Sequence, residues 1–442
     1  MNTHAKPVII PVYFQTGRDP EFESQFTRLK GLLSREADIQ DPLPLGAPLP
    51  EADAVLLPQL LGDAYRQLPA VKQIQLPLLV ITSEFGTVSM WDWEIVSYLE
   101  SEGISVLTPY SLEDARKLCR ALGVRKQLKR SKLLVFQDNP GEGQQASIFK
   151  RFYWWESECS QRMKEKFGVT VVRKSFKTLG EAAKRIQDRD AEEEWKKWPL
   201  ETANVSQRGL NSAIKMYIAV KREVDQEGDV IGVGINCLNE SHFSDTTPCL
   251  AWNMLYEERG LIWGCEADTM SMLTKYILNK ALGVPIMMTN LYPFLMGQAA
   301  LKHERIAHFP VVGDPENCIL VAHCGFLGVL PKSFSTEWTL RPKVLGIVDA
   351  NATAIDARLP MGEITLAKLG SALDKVTVSE GQLEGYVQYP GSDCRNGGVI
   401  RVKDGRRLVN NLSSHHYLLM TGHNLRGIAN LSKIFNFTVE EI

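Results

Sequence analysis

The first third of the chain alternates short apolar runs with amphipathic stretches, and this alternation restricts its fold more than any other feature. Short apolar runs are typical of strands buried on both faces of a parallel sheet, and the stretches between them have helical spacing. The apolar runs are residues 7–14, 54–57, 78–81, 104–107 and 133–136. The helical stretches are residues 23–33, 91–101, 112–122 and 146–167. The pattern predicts an N-terminal α/β domain over residues 1–168.

The middle of the chain continues the α/β pattern. The predicted strands are residues 169–172, 229–238, 261–265 and 284–288. The predicted helices are residues 206–224, 248–257 and 269–282, and the mixed-charge stretch 188–198 predicts a solvated helix and loop. We therefore predict a central α/β domain over residues 169–300 and expect both α/β domains to be Rossmann-like.

After about residue 300 the pattern changes to short strand signals that are separated by Gly, Pro, Asn and Asp. The predicted strands are residues 318–322, 344–348, 375–378, 385–389, 399–402 and 417–420, and the one clear helix is residues 425–435. Such a pattern is typical of a barrel or a sandwich. We predict a β-rich, barrel-like C-terminal domain over residues 301–442.

Composition and charge restrict the class of partner. The formal net charge of −2 gives no electrostatic reason to expect binding to nucleic acid or to an anionic membrane. The longest apolar stretch, residues 318–330, is too short to span a bilayer. We expect no signal peptide, and the eight cysteines, none with CxxC spacing, are typical of reduced thiols. The sequence thus predicts a cytoplasmic protein.

Two carboxylates stand at the end of a predicted buried strand, in the tripeptide Glu266-Ala267-Asp268. Burying a carboxylate in such a position costs free energy unless a cation or hydrogen-bond donors compensate for the lost hydration. Asp268 also precedes a predicted helix, where aspartate commonly caps the first turn, so capping and a functional role both account for it. Capping explains Glu266 less well, and we therefore favour a functional role for Glu266.

The histidines offer nitrogen ligands at other strand ends. His323 lies in an apolar strand, where it is either a core histidine or a ligand. His415 and His416 are adjacent, and because successive strand residues face opposite ways, we expect one to bind metal and the other to orient or contact substrate. Asn290 ends a further strand, as a hydrogen-bonding group or as a turn residue. Carboxylates and imidazoles together suit a divalent metal.

These segments resemble the L-fucose isomerase and L-arabinose isomerase superfamily. The resemblance lies in Thr-Pro-Cys-Leu-Ala (247–251), Gly-Cys-Glu-Ala-Asp (264–268), Val-Ala-His-Cys-Gly (321–325), Cys-Arg-Asn (394–396) and Ser-His-His-Tyr (414–417). The first two look like the proline-led helix and the Glu-x-Asp strand end of the family, and the others look like its histidine segments. The match covers the second half of the chain in order, whereas the first third agrees only as an α/β domain.

The resemblance implies a set of metal ligands. Glu266 matches the first metal carboxylate and candidate acid/base, and His323 and His416 match metal histidines. The second metal carboxylate should follow the strand 284–288, but the chain has Asn290 there. Asn290 therefore occupies the position of the second metal ligand in the expected set, but its amide carries no charge. Either Asp268 or Glu240 could supply the missing carboxylate.

The function implied by the resemblance is a metal-dependent aldose–ketose sugar isomerase. Mn²⁺ would be the cofactor, Glu266 or Asp268 would transfer a proton through an enediol, and His415 and Arg395 would contact the sugar. The resemblance also implies a homo-oligomer, either a trimer or a hexamer. The alternative is a sugar-binding relative that has lost catalytic activity. Asn290 favours this alternative, because it stands where the resemblance calls for a metal carboxylate.

A third hypothesis, a nucleotide-dependent oxidoreductase, has less support. Gly141-Glu142-Gly143 lacks the third glycine and the following pattern of a phosphate-binding loop.

Overall fold

The structure is a computed structural model of the 442-residue chain. It describes residues 5–14, 17–59, 61–81, 92–138, 152–237, 240–296, 311–323, 330–343, 351–388 and 396–442.

Parallel strands form a sheet at the N-terminal end of the chain. Its strands are β1 (Val8–Tyr13), β2 (Asp38–Ile39), β3 (Leu43–Pro44), β4 (Ala54–Leu57), β5 (Leu78–Val80) and β6 (Val106–Leu107). Their order is β2-β1-β4-β5-β6, and β3 pairs with the end of β1. The helices of this region are α1 (Pro20–Leu33), α2 (Leu68–Val71), α3 (Trp93–Ser101) and α4 (Leu112–Leu128). The central strands β4 and β5 are buried throughout, as their apolar runs predict.

A second parallel sheet has the order β10-β9-β7-β8. Its strands are β7 (Lys132–Phe136), β8 (Thr170–Lys174), β9 (Val230–Ile235) and β10 (Ile262–Cys265). The helices of this part of the chain are α5 (Ser157–Phe167), α6 (Phe176–Arg185), α7 (Asp188–Trp195), α8 (Gln207–Glu227), α9 (Cys249–Arg259) and α10 (Thr269–Leu282). β7 pairs with β8 and β9 and therefore belongs to this sheet, not to the N-terminal one.

The C-terminal region contains a closed barrel. Its strands are β11 (Ile286–Pro293), β12 (Cys318–Ala322), β15 (Gly362–Leu369), β16 (Lys375–Gln388), β17 (Asn396–Val402) and β18 (His416–Thr421), and β13 (Glu337–Pro342) pairs with β14 (Thr353–Arg358) outside the barrel. The antiparallel order β15-β18-β11-β12-β17-β16 closes because β16 also pairs with β15. The chain ends with α11 (Gly405–Asn410), α12 (Leu425–Phe435) and β19 (Thr438–Glu441), which pairs with β16.

Helix α10 joins the second sheet to the barrel. Every residue of α10 is buried, which requires neighbours on all sides. The helix packs against α4, against β9 and β10, and against the barrel strands β11, β15 and β18. Because α10 begins at Thr269, the tripeptide that precedes it lies where the sheet meets the barrel.

The mixed α/β fold and the barrel-like C-terminal region are confirmed, while the count of Rossmann-like domains stays a prediction. Four predicted elements have the observed bounds: β4, α10, β12 and α12. The separate strands predicted at 375–378 and 385–389 are wrong, because β16 is one strand across both. Of the helix predicted at 146–167, residues 146–151 lie outside the described part of the chain; within residues 152–167 a 3₁₀ turn at Tyr153–Trp155 precedes the helix, which starts at Ser157. The strand predicted at 344–348 lies outside the described residues.

Several elements were missed by the sequence analysis. They are the short strands β2 and β3, the strands β13, β14, β15 and β19, and the helices α2, α6 and α11. No helix in the described ranges has both the length and the apolar character needed to cross a bilayer.

Candidate metal centre

The candidate centre lies where strand ends of the sheet and of the barrel meet. Glu266 directly follows β10, His323 directly follows β12, and His416 is the first residue of β18. β11 runs between β12 and β18, so that Asn290 stands opposite Ala322 on one side and His416 on the other. The fold therefore brings the predicted ligands of distant segments to one place.

The backbone of Glu266 is held in an unusual conformation. Glu266 and Ala267 have φ angles of 52° and 53°, in the left-handed region that non-glycine residues rarely adopt. The carbonyl oxygen of Glu266 accepts hydrogen bonds from the indole N–H groups of Trp154 (3.2 Å) and Trp155 (2.7 Å). The amide of Ala267 donates to the carbonyl of Ile235 at 3.0 Å. These contacts fix the backbone from which the Glu266 carboxylate projects.

Three ligand atoms converge beyond this turn. Glu266 Oε2 lies 3.4 Å from His415 Nε2 and 3.8 Å from His416 Nε2. One ligand atom from each of the three side chains lies within 4.8 Å of the other two. All three atoms are buried and lack a hydrogen-bond partner in the described part of the chain. Each orphaned polar atom costs about 1–3 kcal/mol unless something meets it, and a divalent cation would meet all three.

Asp268 supports this cluster from behind. Its Oδ1 caps α10 by accepting the backbone N–H of Ser271 at 2.8 Å, which confirms the capping prediction. Its Oδ2 lies 2.9 Å from His416 Nδ1, 2.7 Å from Ser271 Oγ and 3.2 Å from Lys368 Nζ. A carboxylate that accepts from Nδ1 keeps the proton on that nitrogen, so the lone pair of Nε2 faces Glu266. Carboxylate–histidine pairs of this kind orient metal ligands.

The protonation states favour a cation site. Burial and the neighbouring His415 lower the pKa of His416 to about 4, so the ring is neutral at pH 7. Burial raises the pKa of the Asp268 carboxyl, but the Lys368 ammonium and the His416 hydrogen bond outweigh it and bring the pKa well below its usual range. The carboxylate therefore stays charged although it is fully buried.

The Glu266 carboxyl also stays charged. Burial raises its pKa, but the imidazoles of His416 and His415 more than offset that effect, and the net pKa lies below its usual range. A charged carboxylate beside the free Nε2 of a neutral imidazole presents the ligand states that a divalent cation requires.

His323 and Asn290 border the cluster. The ring centroids of His323 and His416 are 5.6 Å apart, and His323 Nδ1 is buried without a partner among the described residues. Asn290 donates a hydrogen bond from Nδ2 to the Tyr292 hydroxyl at 2.9 Å. Its Oδ1 is buried and has no hydrogen-bond partner among the described residues. The atoms of His323 lie outside the 4.8 Å group. The predicted ligand roles of both residues stay predictions.

The remaining predicted site residues lie elsewhere. The Glu240 carboxylate accepts the backbone N–H of Asp138 at 2.9 and 3.0 Å and is not in the cluster of ligand atoms. Arg395 lies outside the described residues. His415, predicted as a substrate contact, stands inside the cluster, and its ring lies 5.3 Å from Phe152 and 5.8 Å from Trp154 between centroids.

Four residues at the site are not among those predicted from the sequence: Lys368, Ser271, Trp154 and Trp155. A lysine within the apolar run 364–369 is a signal for a buried partner, and this run is the missed strand β15. The two tryptophans fall in the stretch that was predicted to be a long helix, which conceals their convergence on one carbonyl oxygen.

No protein-family model matches the sequence, and no curated protein matches it.

Proposed function

We propose that this protein is a divalent-metal-dependent isomerase that interconverts an aldose and a ketose. The observation that carries the proposal is the convergence of three ligand atoms, from Glu266, His415 and His416, at a buried junction of sheet and barrel, where none of the three has a hydrogen-bond partner among the described residues. The resemblance of the same segments to the L-fucose and L-arabinose isomerase superfamily supplies the reaction class. That relation also implies a homo-oligomer, a trimer or a hexamer, which analytical ultracentrifugation measures directly.

The donor set fits a divalent transition ion. Glu266, His415 and His416 would hold the ion, with His323 and Asn290 beside them. One carboxylate and imidazole nitrogens suit Mn²⁺ and its neighbours in the first transition row, and Mn²⁺ is the ion that the resemblance implies. When bound, such an ion would polarise the sugar carbonyl and make the hydrogen on the adjacent carbon more acidic.

Glu266 is the proposed acid/base. In the aldose-to-ketose direction its carboxylate takes the proton from C2 and returns it to C1, while the C2 hydroxyl proton passes to the oxygen on C1. The sugar passes through an enediol, and no atom is gained or lost. The charged state of Glu266 equips it to accept the proton, and the clamp on its backbone holds it in place.

Asp268 has a supporting role in this proposal. Its oxygens are occupied by the helix cap, by Lys368 and by His416, and its side chain is fully buried. It holds the His416 ring in the orientation that directs Nε2 toward Glu266. Phe152 and Trp154, which pack on the His415 ring, keep water away from that side of the cluster.

The test compares wild-type protein with Glu266→Gln. Wild-type protein should bind Mn²⁺, as measured by electron paramagnetic resonance, and should isomerise at least one member of a panel of pentoses, hexoses and deoxyhexoses. Glu266→Gln should lower kcat by about a hundredfold or more. Glu363→Gln, on an exposed position of β15, is the matched control and should keep the wild-type rate. An undiminished rate in Glu266→Gln would refute the assigned role.

A sugar-binding protein without turnover is the second candidate, and Asn290 favours it. A neutral amide stands opposite His416, at the position where the resemblance calls for a carboxylate. This candidate predicts that Mn²⁺-loaded wild-type protein binds a sugar or polyol in calorimetry but isomerises none of the panel. Asn290→Asp should then raise turnover above background, whereas no such gain is expected if Asn290 already belongs to a working site.

A further inference from the structure

Two buried cysteines meet beside the candidate centre, and neither has a role in the proposed isomerisation. Cys237 and Cys265 are 28 residues apart in the sequence, but their sulfur atoms lie 3.3 Å apart. Both are thiols in this structure, and they are 7% and 2% exposed. A disulfide places its sulfurs about 2.05 Å apart, so the pair needs a combined movement of about 1.3 Å to form one.

A tight turn after β9 brings the two thiols together. Ile235, the last residue of β9, pairs in register with Cys265, the last residue of β10. In an extended strand Cys237 would lie about 6.6 Å beyond Ile235. Instead, the amide of Cys237 donates a hydrogen bond to the carbonyl of Ile235 at 2.9 Å, as in a γ-turn, and the chain bends back toward Cys265. The contact between the thiols is therefore built into the backbone at the strand end.

The same strand end holds the Glu266 carboxylate in place. Cys265 directly precedes Glu266. The Ile235 carbonyl that accepts the Cys237 amide also accepts the amide of Ala267, at 3.0 Å. Glu266 and Ala267 have positive φ angles, and non-glycine residues have few alternative conformations in that region. The turn therefore cannot absorb a shift of Cys265, and bringing the two sulfurs to bonding distance would displace Glu266.

A small displacement of a ligand is enough to weaken a cation site. Metal–ligand distances are defined to about 0.2 Å, whereas the disulfide requires a movement of about 1 Å. Loss of a residue that orients a metal ligand lowers metal affinity about 10- to 100-fold. We expect a disulfide next to Glu266 to have at least the smaller of these effects.

We propose that Cys237 and Cys265 form a peroxide-sensitive modification site, whose disulfide displaces Glu266 and lowers the affinity of the centre for its cation. The existence of the disulfide depends on the two thiols alone, and its effect on the cation rests on the proposed function.

The chemistry takes two steps. The sulfur of Cys237, the more exposed of the two, attacks one oxygen of hydrogen peroxide, and the O–O bond breaks. A sulfenic acid forms, and the thiol proton leaves with the other oxygen as water. The sulfur of Cys265 then attacks the sulfenic sulfur, and its proton leaves with the hydroxyl group as a second water. Two thiols are oxidised to one disulfide, one peroxide is reduced to two waters, and an added reductant reverses the modification.

The test treats metal-free protein with hydrogen peroxide, removes the peroxide and then measures Mn²⁺ binding by electron paramagnetic resonance. Peptide mass spectrometry detects the disulfide as a cross-link that has lost two hydrogen atoms. We expect oxidised wild type to contain the cross-link between Cys237 and Cys265 and to bind Mn²⁺ at least tenfold more weakly than the reduced protein. Reduction with a phosphine should restore the affinity.

Two variants separate the pair from other effects of peroxide. Cys237→Ser leaves every ligand of the centre in place and should keep its Mn²⁺ affinity after treatment. Cys119→Ala removes a fully buried thiol of α4, whose pKa is raised to about 12 by burial, and this matched control should respond as wild type does. Three results would overturn the proposal: no cross-link in treated wild type, a cross-link with unchanged Mn²⁺ affinity, or an equal loss of affinity in Cys237→Ser.

Thermodynamic linkage gives a second test on the unaltered chain. If the disulfide weakens Mn²⁺ binding tenfold, saturating Mn²⁺ must favour the dithiol tenfold. The midpoint potential of the pair, measured in glutathione redox buffers, should then be about 30 mV higher with Mn²⁺ than with EDTA. An unchanged potential would show that the disulfide and the cation do not interact, contrary to the proposal.

The outcomes separate this proposal from the proposed function. A reversible cross-link in a protein whose reduced form binds no Mn²⁺ would reject the proposed function and retain the thiol modification site. Mn²⁺-dependent isomerisation that survives peroxide, with no cross-link formed, would retain the proposed function and reject the modification site.

Discussion

His416 should make the metal-free protein lose stability on mild acidification. The pKa of this fully buried ring is about 4 in the folded protein, against 6.5 for an unperturbed histidine. Between these values the unfolded chain takes up a proton that the folded chain does not, so the free energy of unfolding falls as the pH falls. At about 1.36 kcal/mol per pKa unit the full loss is about 3 kcal/mol, of which about 2 kcal/mol falls between pH 7 and pH 5.

The perturbation that tests this is His416→Asn. The asparagine amide can replace Nδ1 as a donor to Asp268, but it does not titrate. Urea unfolding of both proteins, followed by tryptophan fluorescence in the presence of EDTA, gives the free energy of unfolding at pH 7 and at pH 5. The wild type should lose about 2 kcal/mol more than the variant over this interval. His423→Asn, at a side chain that is 45% exposed, should follow the wild type.

Equal pH dependence in wild type and His416→Asn would refute the reasoning. The Asp268 carboxyl does not contribute to the change in unfolding free energy between pH 7 and pH 5. Its pKa is lowered on folding from an ordinary value of 3.8, so its contribution is present above that value and is lost only at lower pH. The interval from pH 5 to pH 7 therefore reports on histidine.

Two further predictions concern the support of the centre. Lys368→Met removes the ammonium that pairs with the helix-cap carboxylate and should weaken Mn²⁺ binding about 10- to 100-fold, measured by electron paramagnetic resonance, whereas the surface variant Lys375→Met should not. Unchanged affinity would mean that the cap orients the histidine without the ammonium. Gly264→Ala would bring a Cβ within 2.6 Å of Met272 Cγ and should cost about 1–3 kcal/mol in urea unfolding, whereas Gly31→Ala, in open space on α1, should be neutral or stabilising. An undiminished unfolding free energy in Gly264→Ala would mean that α10 moves away at little cost.

Local signals account for the parts of the fold that the sequence predicts best. Helix α10 has the predicted bounds because its ends are determined nearby: Asp268 caps its first turn, and Gly283 ends it with φ 72°. Strand β15 was missed since its run contains Lys368, whose partner carboxylate lies 100 residues away in sequence. The spacing of apolar residues does not reveal such a pairing.

The same distinction applies to the candidate centre. Glu266 was identified because it lies at the end of an apolar run, and His416 because it is adjacent to His415 beside a predicted strand and matches a metal histidine in the resemblance. The placement of His415 in the same cluster as Glu266 and His416 was not predicted, because it depends on where β18 begins. The strand starts at His416, so His415 precedes the strand, and both rings approach Glu266, with centroids 4.0 Å apart.

The candidate centre depends on the contact between the second sheet and the barrel. Glu266 comes from the sheet, both histidines come from the barrel, and Asp268 belongs to the helix cap between them. The hydrogen bond from Asp268 to His416 and its ion pair with Lys368 join these parts directly. A cation held by Glu266 and the two histidines would add a third connection, and it would stabilise the docked arrangement by about 2.7 kcal/mol at a free concentration 100 times its Kd. Metal affinity and the docking of the barrel are therefore linked, because the ligand set is complete only when the two parts are in contact.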